Sequence, residues 1–216
     1  MTSLSLSLRA RRFASTSRAL AFIFWAVLPS LGTAAESSAA DGARAVVESF
    51  HHTLRTVMQA NLSCEARQTR YAAALADDFD VALIAQQISK KHWNQFSAAQ
   101  QAQLIDVLNQ QFTLTYAQQF ARDQGAQFIT GETRALRGNT QLVQTELRPA
   151  QGQAVRLDYV LRQKARQWRI VNIVAEGVSD LALRSAQYDA LITQQGFDGL
   201  LAFLREQVRA LQAQCA

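Results

Sequence analysis

The chain has 216 residues, 49% hydrophobic and 18% charged, enough for one domain with a sizeable core. Its 22 basic and 17 acidic residues give a formal charge of +5, but Arg9, Arg11, Arg12 and Arg18 precede residue 36 and no acidic residue does, so the remainder carries 18 basic against 17 acidic residues. A balance of +1 leaves no nucleic-acid footprint and no polybasic membrane patch to expect.

Residues 1–35 read as a secretory signal peptide. A basic start is followed by the apolar run "ALAFIFWAVL" (19–28) and by the small residues of "PSLGTAA", with a cut expected after Ala35. The apolar run falls short of the ~20 residues that a retained membrane anchor needs. Arg11-Arg12 lacks the rest of a twin-arginine signal, so general secretion is expected. Export brings Cys64 and Cys215 into an oxidising compartment, where they either pair or remain two thiols.

"SSAADGAR" (37–44) is small and polar and predicts a flexible start to the mature chain. Val46, Val47, Phe50, Leu54 and Val57, spaced by three and four, predict a helix. "CEARQTRYAAALADDF" (64–79) predicts a second, and Asp80 a cap for a short third with Val81, Ile84 and Ile88 inward. "KKHWNQFSAAQ" interrupts the helices. Ser97 and Gln100 then form an S-x-x-Q capping box, opening a helix from Ala98 to about Arg122 with Leu104, Leu108, Phe112, Tyr116 and Phe120 on one stripe.

After Gly125 the apolar period becomes two. Segments 127–135, 141–148, 155–162 and 168–176 predict four strands, joined by the turns "LRGNT", "PAQGQ" and "QKARQ" into an antiparallel meander. In the third strand Val155, Leu157, Tyr159 and Leu161 take one face, and Arg156, Asp158 and Arg162 the other. The fourth is apolar on both faces through Val171, Ile173 and Val174, and is predicted to be central or covered twice. Helices from Asp180 to about Thr193 and from Asp198 to about Ala213, separated by Gly196, close the chain. The whole predicts one α+β domain over residues 36–216: a helical part at 43–124, a four-stranded curved antiparallel sheet at 127–176, and C-terminal helices at 180–213.

The chemistry-bearing residues form no familiar set. His51 and His52 are adjacent and leave a helix on different sides, and His92 stands alone, so no metal site is expected. Asp77, Asp78 and Asp80 lack the glycine and distal glutamate of a calcium loop, and read as helix caps and dipole compensation. Cys64 has no histidine motif beside it, "NLS" (61–63) is a sequon common by chance, and Glu176 reads as a solvated strand end. For an enzyme with a pocket acid and base, only Glu132, Asp158 and His92 remain, and Asp158 is expected to face water. Trp93, Phe112, Tyr116, Phe120, Phe128, Leu157, Tyr159, Trp168 and Ile173 are left. Singly each suits a core; together, under a concave sheet, they suit an apolar pocket.

Three stretches then carry a resemblance. "FDVALIAQQISKKHWNQFSAAQQAQLIDVLNQQFTLTYAQQF", "QWRIVNIVAEGVS" and "QYDALITQQGFDGLLAFL" make residues 62–211 resemble the periplasmic lipid-carrier family of the Mla system, the toluene-tolerance auxiliary proteins. "DLALRSAQY" after Gly177-Val178-Ser179 is more similar to the branch associated with hopanoid biosynthesis, so both a phospholipid and a hopanoid stand as ligands. The resemblance implies a nuclear-transport-factor-like sheet under an extended helical subdomain, with lipid tails between sheet and helices. It implies a periplasmic, non-enzymatic carrier without a cofactor beyond its lipid. Its implied partners are an inner-membrane ABC lipid-transport complex and an outer-membrane lipoprotein complex, or a hopanoid exporter for the second branch.

Overall fold

The computed structural model describes residues 32–215, and side-chain surroundings from residue 38 onward. The signal-peptide expectation falls mainly on residues 1–31, outside the described residues. Helix α1 spans Gly32–Gln59, so the expected flexible start at 37–44 is helical instead. The segment is rich in alanine, the best helix former. It also has a surface to pack on: a Cβ added at Gly42 would stand 2.9 Å from Trp168 Cδ1. Val47, Phe50, Leu54 and Val57 are all buried beneath α1, as their spacing predicts.

Side-chain oxygens start the next helices. Ser63 Oγ accepts from Ala66 N to open α2 (Cys64–Asp78), so the sequon serine serves as a cap. Asp80 Oδ1 accepts from Leu83 N to open α3 (Val81–Ser89). A 3-10 turn at Lys90–Gln95 follows. The full capping box of Ser97 and Gln100 then opens α4 (Ala98–Gln119). Helix α4 stops three residues before the expected Arg122, because side chains from α2 take its last carbonyls. Arg67 Nε donates to Ala117 O at 2.8 Å and the Tyr71 hydroxyl to Phe120 O at 2.9 Å. Of the three aspartates, only Asp80 compensates a helix start; Asp78 ends α2 and is buried.

Strands β1 (Gln127–Ala135), β2 (Thr140–Arg148), β3 (Val155–Lys164), β4 (Gln167–Ala175) and β5 (Val178–Ser179) form one antiparallel sheet in sequence order. The sheet thus has five strands rather than four, the fifth a two-residue return after a turn in which Glu176 (φ 50°) and Gly177 (φ 79°) are both left-handed, as in a type I′ hairpin. Two bulges bend it. The first lies between Thr130 and Thr133 of β1, where Arg44 of α1 donates to the carbonyls of Gly131 and Thr130. The second corrects the reading of β4.

Val160 pairs with Asn172 but Leu161 with Ile170, leaving Val171 as the extra residue. A bulge resets the alternation, so Trp168 and Ile170 before it and Val171 and Ile173 after it face the same helical side. The strand is apolar at both parities for this reason, and not because it is central. It pairs along its length with β3 on one side, but on the other it borders only the short β5 and a single bridge from Ile170 to Phe79.

Helix α5 covers Asp180–Ala213 and breaks at Gly196 (φ 68°, ψ −170°), a conformation close to glycine-only. It packs on α3 and α4, while α1 crosses β1, β2 and β4. Phe50, Phe79, Tyr116 and Tyr159 meet edge to face where the two layers join, with Phe50 5.0 Å from Phe79 and 5.2 Å from Tyr116. A disulfide joins Cys64 at the start of α2 to Cys215 beyond α5, with Cα atoms 5.6 Å apart. Among the described residues no helix is long and apolar enough to cross a membrane.

Candidate functional site

The concave side of the sheet is not filled by helices along its whole length. A cavity of about 370 Å³ lies between the C-terminal half of α4, the first turn of α5 and one end of the sheet, within the roughly 300–1,000 Å³ usual for small-molecule sites. Leu147, Val155, Leu157, Tyr159, Val171, Ile173 and Ala175 form the sheet wall. The cross-strand pairs Leu157–Ala175 and Tyr159–Ile173 put those four side chains on one face. Helix α4 contributes Phe112, Thr115, Tyr116, Gln119 and Phe120, and Phe79 and Ile84 close the floor.

The first turn of α5 supplies Asp180, Leu181 and Arg184. Its placement depends on Asn172, whose Oδ1 accepts from Leu181 N at 3.1 Å and whose Nδ2 donates to Ser179 Oγ at 3.0 Å. Ser179 Oγ in turn accepts from Ala182 N. Two orphan amides of the helix start are thereby satisfied from one side chain of β4 and one cap, which fixes α5 against the cavity.

Asp180 and Arg184 are the only charged groups in the lining. They neutralise each other, with Arg184 Nε 2.7 Å from Asp180 Oδ2, and Arg184 also reaches Gln111 Oε1 at 3.3 Å. Burial, then the neighbouring Tyr159 and Asp180, push the Tyr116 hydroxyl well above its ordinary range, so it stays protonated and able to donate. Among the described residues no group hydrogen-bonds that hydroxyl. The Tyr159 hydroxyl is held by His51 Nε2 at 3.1 Å. Burial, then Arg55, lower the His51 ring to about 4, and it stacks on Phe128 with centroids 4.6 Å apart.

Of the nine aromatic and aliphatic candidates, Phe112, Tyr116, Phe120, Leu157, Tyr159 and Ile173 line this cavity. Three do not. Phe128 sits behind it against His51 and Phe120. Trp168 is buried against Gly42. Trp93 packs in the 3-10 turn, its carbonyl accepting from Gln101.

The acids and bases of the enzyme reading are dispersed. Glu132 is exposed in the β1 bulge, and His92 Nε2 lies 2.8 Å from Asp189 Oδ1, between the 3-10 turn and α5. Asp158 points away from the cavity, yet it is only 5% exposed rather than open to water. Arg156, two residues along the same strand face, covers it in a two-pronged ion pair. Glu176 is exposed and accepts from Arg156 N.

Sequence reasoning missed Phe79, Ile84, Asn172, Asp180 and Arg184. Asp180 and Arg184 did carry a signal, the i,i+4 spacing of an acid before a base at a helix start. Asn172 carried none, because its role arises only when β5 folds back on β4.

The chain superposes on the phospholipid-binding protein from Ralstonia solanacearum, solved in complex with a phospholipid, with a TM-score of 0.71, 21% sequence identity, and coverage of 79% of this chain and 98% of that one. At that identity the likeness is one of fold. No curated protein matches the chain. Residues 44–206 match the MlaC protein family, well over half of the sequence, and the chain therefore belongs to the MlaC family.

Proposed function

We propose that the protein is a periplasmic lipid carrier that holds phospholipid tails in the cavity between α4, α5 and the sheet. The carrying observation is the cavity wall itself: mostly apolar and aromatic side chains, with Thr115, Gln119 and Asn172 as its uncharged polar members and one self-neutralised charge pair beside α5. Membership of the MlaC family and the shared fold with a protein solved around a phospholipid support the reading. Each methylene taken out of water gains about 0.8 kcal/mol, so two long chains hold roughly 20 kcal/mol of gross transfer energy before ordering is subtracted. Such a ligand leaves slowly into water. Release then needs a partner that opens the walls, and the inner-membrane ABC complex and outer-membrane lipoprotein complex of the Mla system are the partners proposed.

The cavity stands near the small end of the range for bound ligands, so a two-chain lipid enters only as α5 or α4 gives way. The break at Gly196 divides α5 into a part that borders the cavity and a part packed on α4, which supplies a place for that motion. The experiment is transfer of a fluorescent phospholipid between donor and acceptor vesicles kept apart by a dialysis membrane. Transfer that rises with added protein supports a carrier; transfer at the protein-free rate refutes one. The same assay with a labelled hopanoid distinguishes the alternative ligand.

A further inference from the structure

The total charge of +1 beyond residue 35 conceals a separation of charge that only the fold produces. Two hairpin turns meet at the end of the sheet remote from the cavity: β1 to β2 at 136–139, and β3 to β4 at Ala165-Arg166. They touch through Gln163 N and Asn139 O at 2.9 Å, and Thr140 pairs with Arg162. This brings Arg134 and Arg137 of one hairpin beside Arg162, Lys164 and Arg166 of the other, all five exposed. Among the described residues none of the five is in an ion pair with a carboxylate. Arg162 also stands directly across from Arg169, a like-charge pairing that destabilises a sheet. Arg169 is turned aside to the carbonyls of Ala76 and Phe79. Within the cluster Leu136 is 44% exposed at the tip of its turn.

We propose that this end of the sheet docks the protein on an anionic lipid surface. Five exposed cations on two adjoining hairpins, none held by a carboxylate, attract such a surface electrostatically, and Leu136 is placed to enter the headgroup layer between them. Contact with a second copy is disfavoured, since the face would meet its own charge. The N-terminal end of α1 lies at the same end, with Gly42 against Trp168 beside the β3–β4 turn. The cavity lies toward the other end of β3, where Leu157 in the middle of its lining is about 23 Å from Lys164 at the rise of an extended strand. Docking in this orientation holds the cavity away from the bilayer and leaves it free for a protein partner.

The proposal does not depend on the bound ligand, and its test is separate from lipid transfer. The mature protein is sedimented with vesicles of phosphatidylglycerol and, in parallel, of phosphatidylcholine. Binding to the first alone, weakening as salt is raised, is expected. The variant Arg137→Gln/Arg162→Gln/Arg166→Asn, with asparagine at the last site because its φ is 65°, should bind on the order of 100-fold more weakly, each basic side chain near an anionic surface contributing about fivefold. Arg205→Gln/Arg209→Gln, which removes as many charges less one from α5, should bind as the parent does. Equal binding to both vesicle types, binding to neither, or binding insensitive to salt overturns the proposal even where the hairpin variant fails to fold. A folded hairpin variant that binds like the parent overturns it too.

Discussion

The guanidinium of Arg184 lies 5.1 Å from the centre of the Phe112 ring, so a cation on the first turns of α5 rests on an aromatic face of α4. Asp180 holds the same guanidinium from the other side. One side chain thus ties the α5 wall of the cavity to the α4 wall. Replacing it by methionine keeps the reach but removes the charge, and Asp180 is left half exposed, where an unpaired carboxylate is tolerated. Arg184→Met should speed lipid dissociation roughly fivefold, the equivalent of about 1 kcal/mol for a partly buried cation–π contact. Stopped-flow release of a fluorescent lipid into excess acceptor vesicles measures it, and an unchanged rate would show that Arg184 does not hold the wall.

Phe120 caps the end of α4 and stacks on Tyr116 with centroids 5.7 Å apart while also lining the cavity. Its carbonyl bond to Tyr71 is made by the backbone and survives any substitution. Phe120→Gln should therefore destabilise the delipidated protein by less than the roughly 3–5 kcal/mol of a Phe→Ala change in a dry core, because the amide can meet water in the cavity. Lipid bound per mole should fall at the same time. Severe unfolding with unaltered lipid content in the folded fraction would make Phe120 a core residue only.

The disulfide closes a sequence separation of 151 residues. In the chain-entropy picture a loop of that length is worth about 5 kcal/mol. Cys64→Ser/Cys215→Ser should lower the urea midpoint accordingly, with the C-terminal end of α5 losing hydrogen-exchange protection first. A midpoint equal to that of the oxidised parent would remove the bond from the account of stability.

His51 gives a pH test with a definite sign. Its folded value of about 4 lies below the 6.5 of the free ring, so the unfolded chain binds the extra proton first and folding stability falls as pH drops through that interval. The full effect is on the order of 3 kcal/mol. Asp78 runs the other way, since burial, with Asp77 adding to it, raises its carboxyl to about 6. The neutral acid is then favoured in the fold, and stability falls as pH rises between 3.8 and 6. The two oppose each other in the parent, so the informative quantity is a difference. His51→Gln keeps a partner for Tyr159 but cannot titrate, and should become steadily more stable relative to the parent from pH 7 down to about pH 4. Urea denaturation at several pH values gives the curve; a flat difference would contradict a buried neutral His51.

What could be read from the chain beforehand depended on whether a signal was local. The capping box at Ser97, the stripe of α1 and the break at Gly196 are all set by residues within a few positions of one another. The alternation of β3 was equally plain, since from Val155 to Arg162 only Val160 puts an apolar side chain on the outer face. β4 misled because a bulge at Val171 changes which parity faces inward, and nothing in "QWRIVNIVA" marks where the extra residue falls. Asp158 was placed on the correct face but given the wrong surroundings, because the side chain that covers it belongs to its own strand, two residues away. The basic end of the sheet could not be seen at all: its members come from two hairpins, and the near-neutral total argued against any such patch.

The claim that the cavity is a lipid site is tested most directly by native mass spectrometry of the mature protein purified without detergent, followed by organic extraction of the same sample. The account predicts a folded species heavier than the polypeptide by the mass of a glycerophospholipid, with that lipid recovered in the extract. A hopanoid recovered instead would keep the carrier and change its cargo. A folded protein at the polypeptide mass alone, with nothing in the extract, would contradict the account.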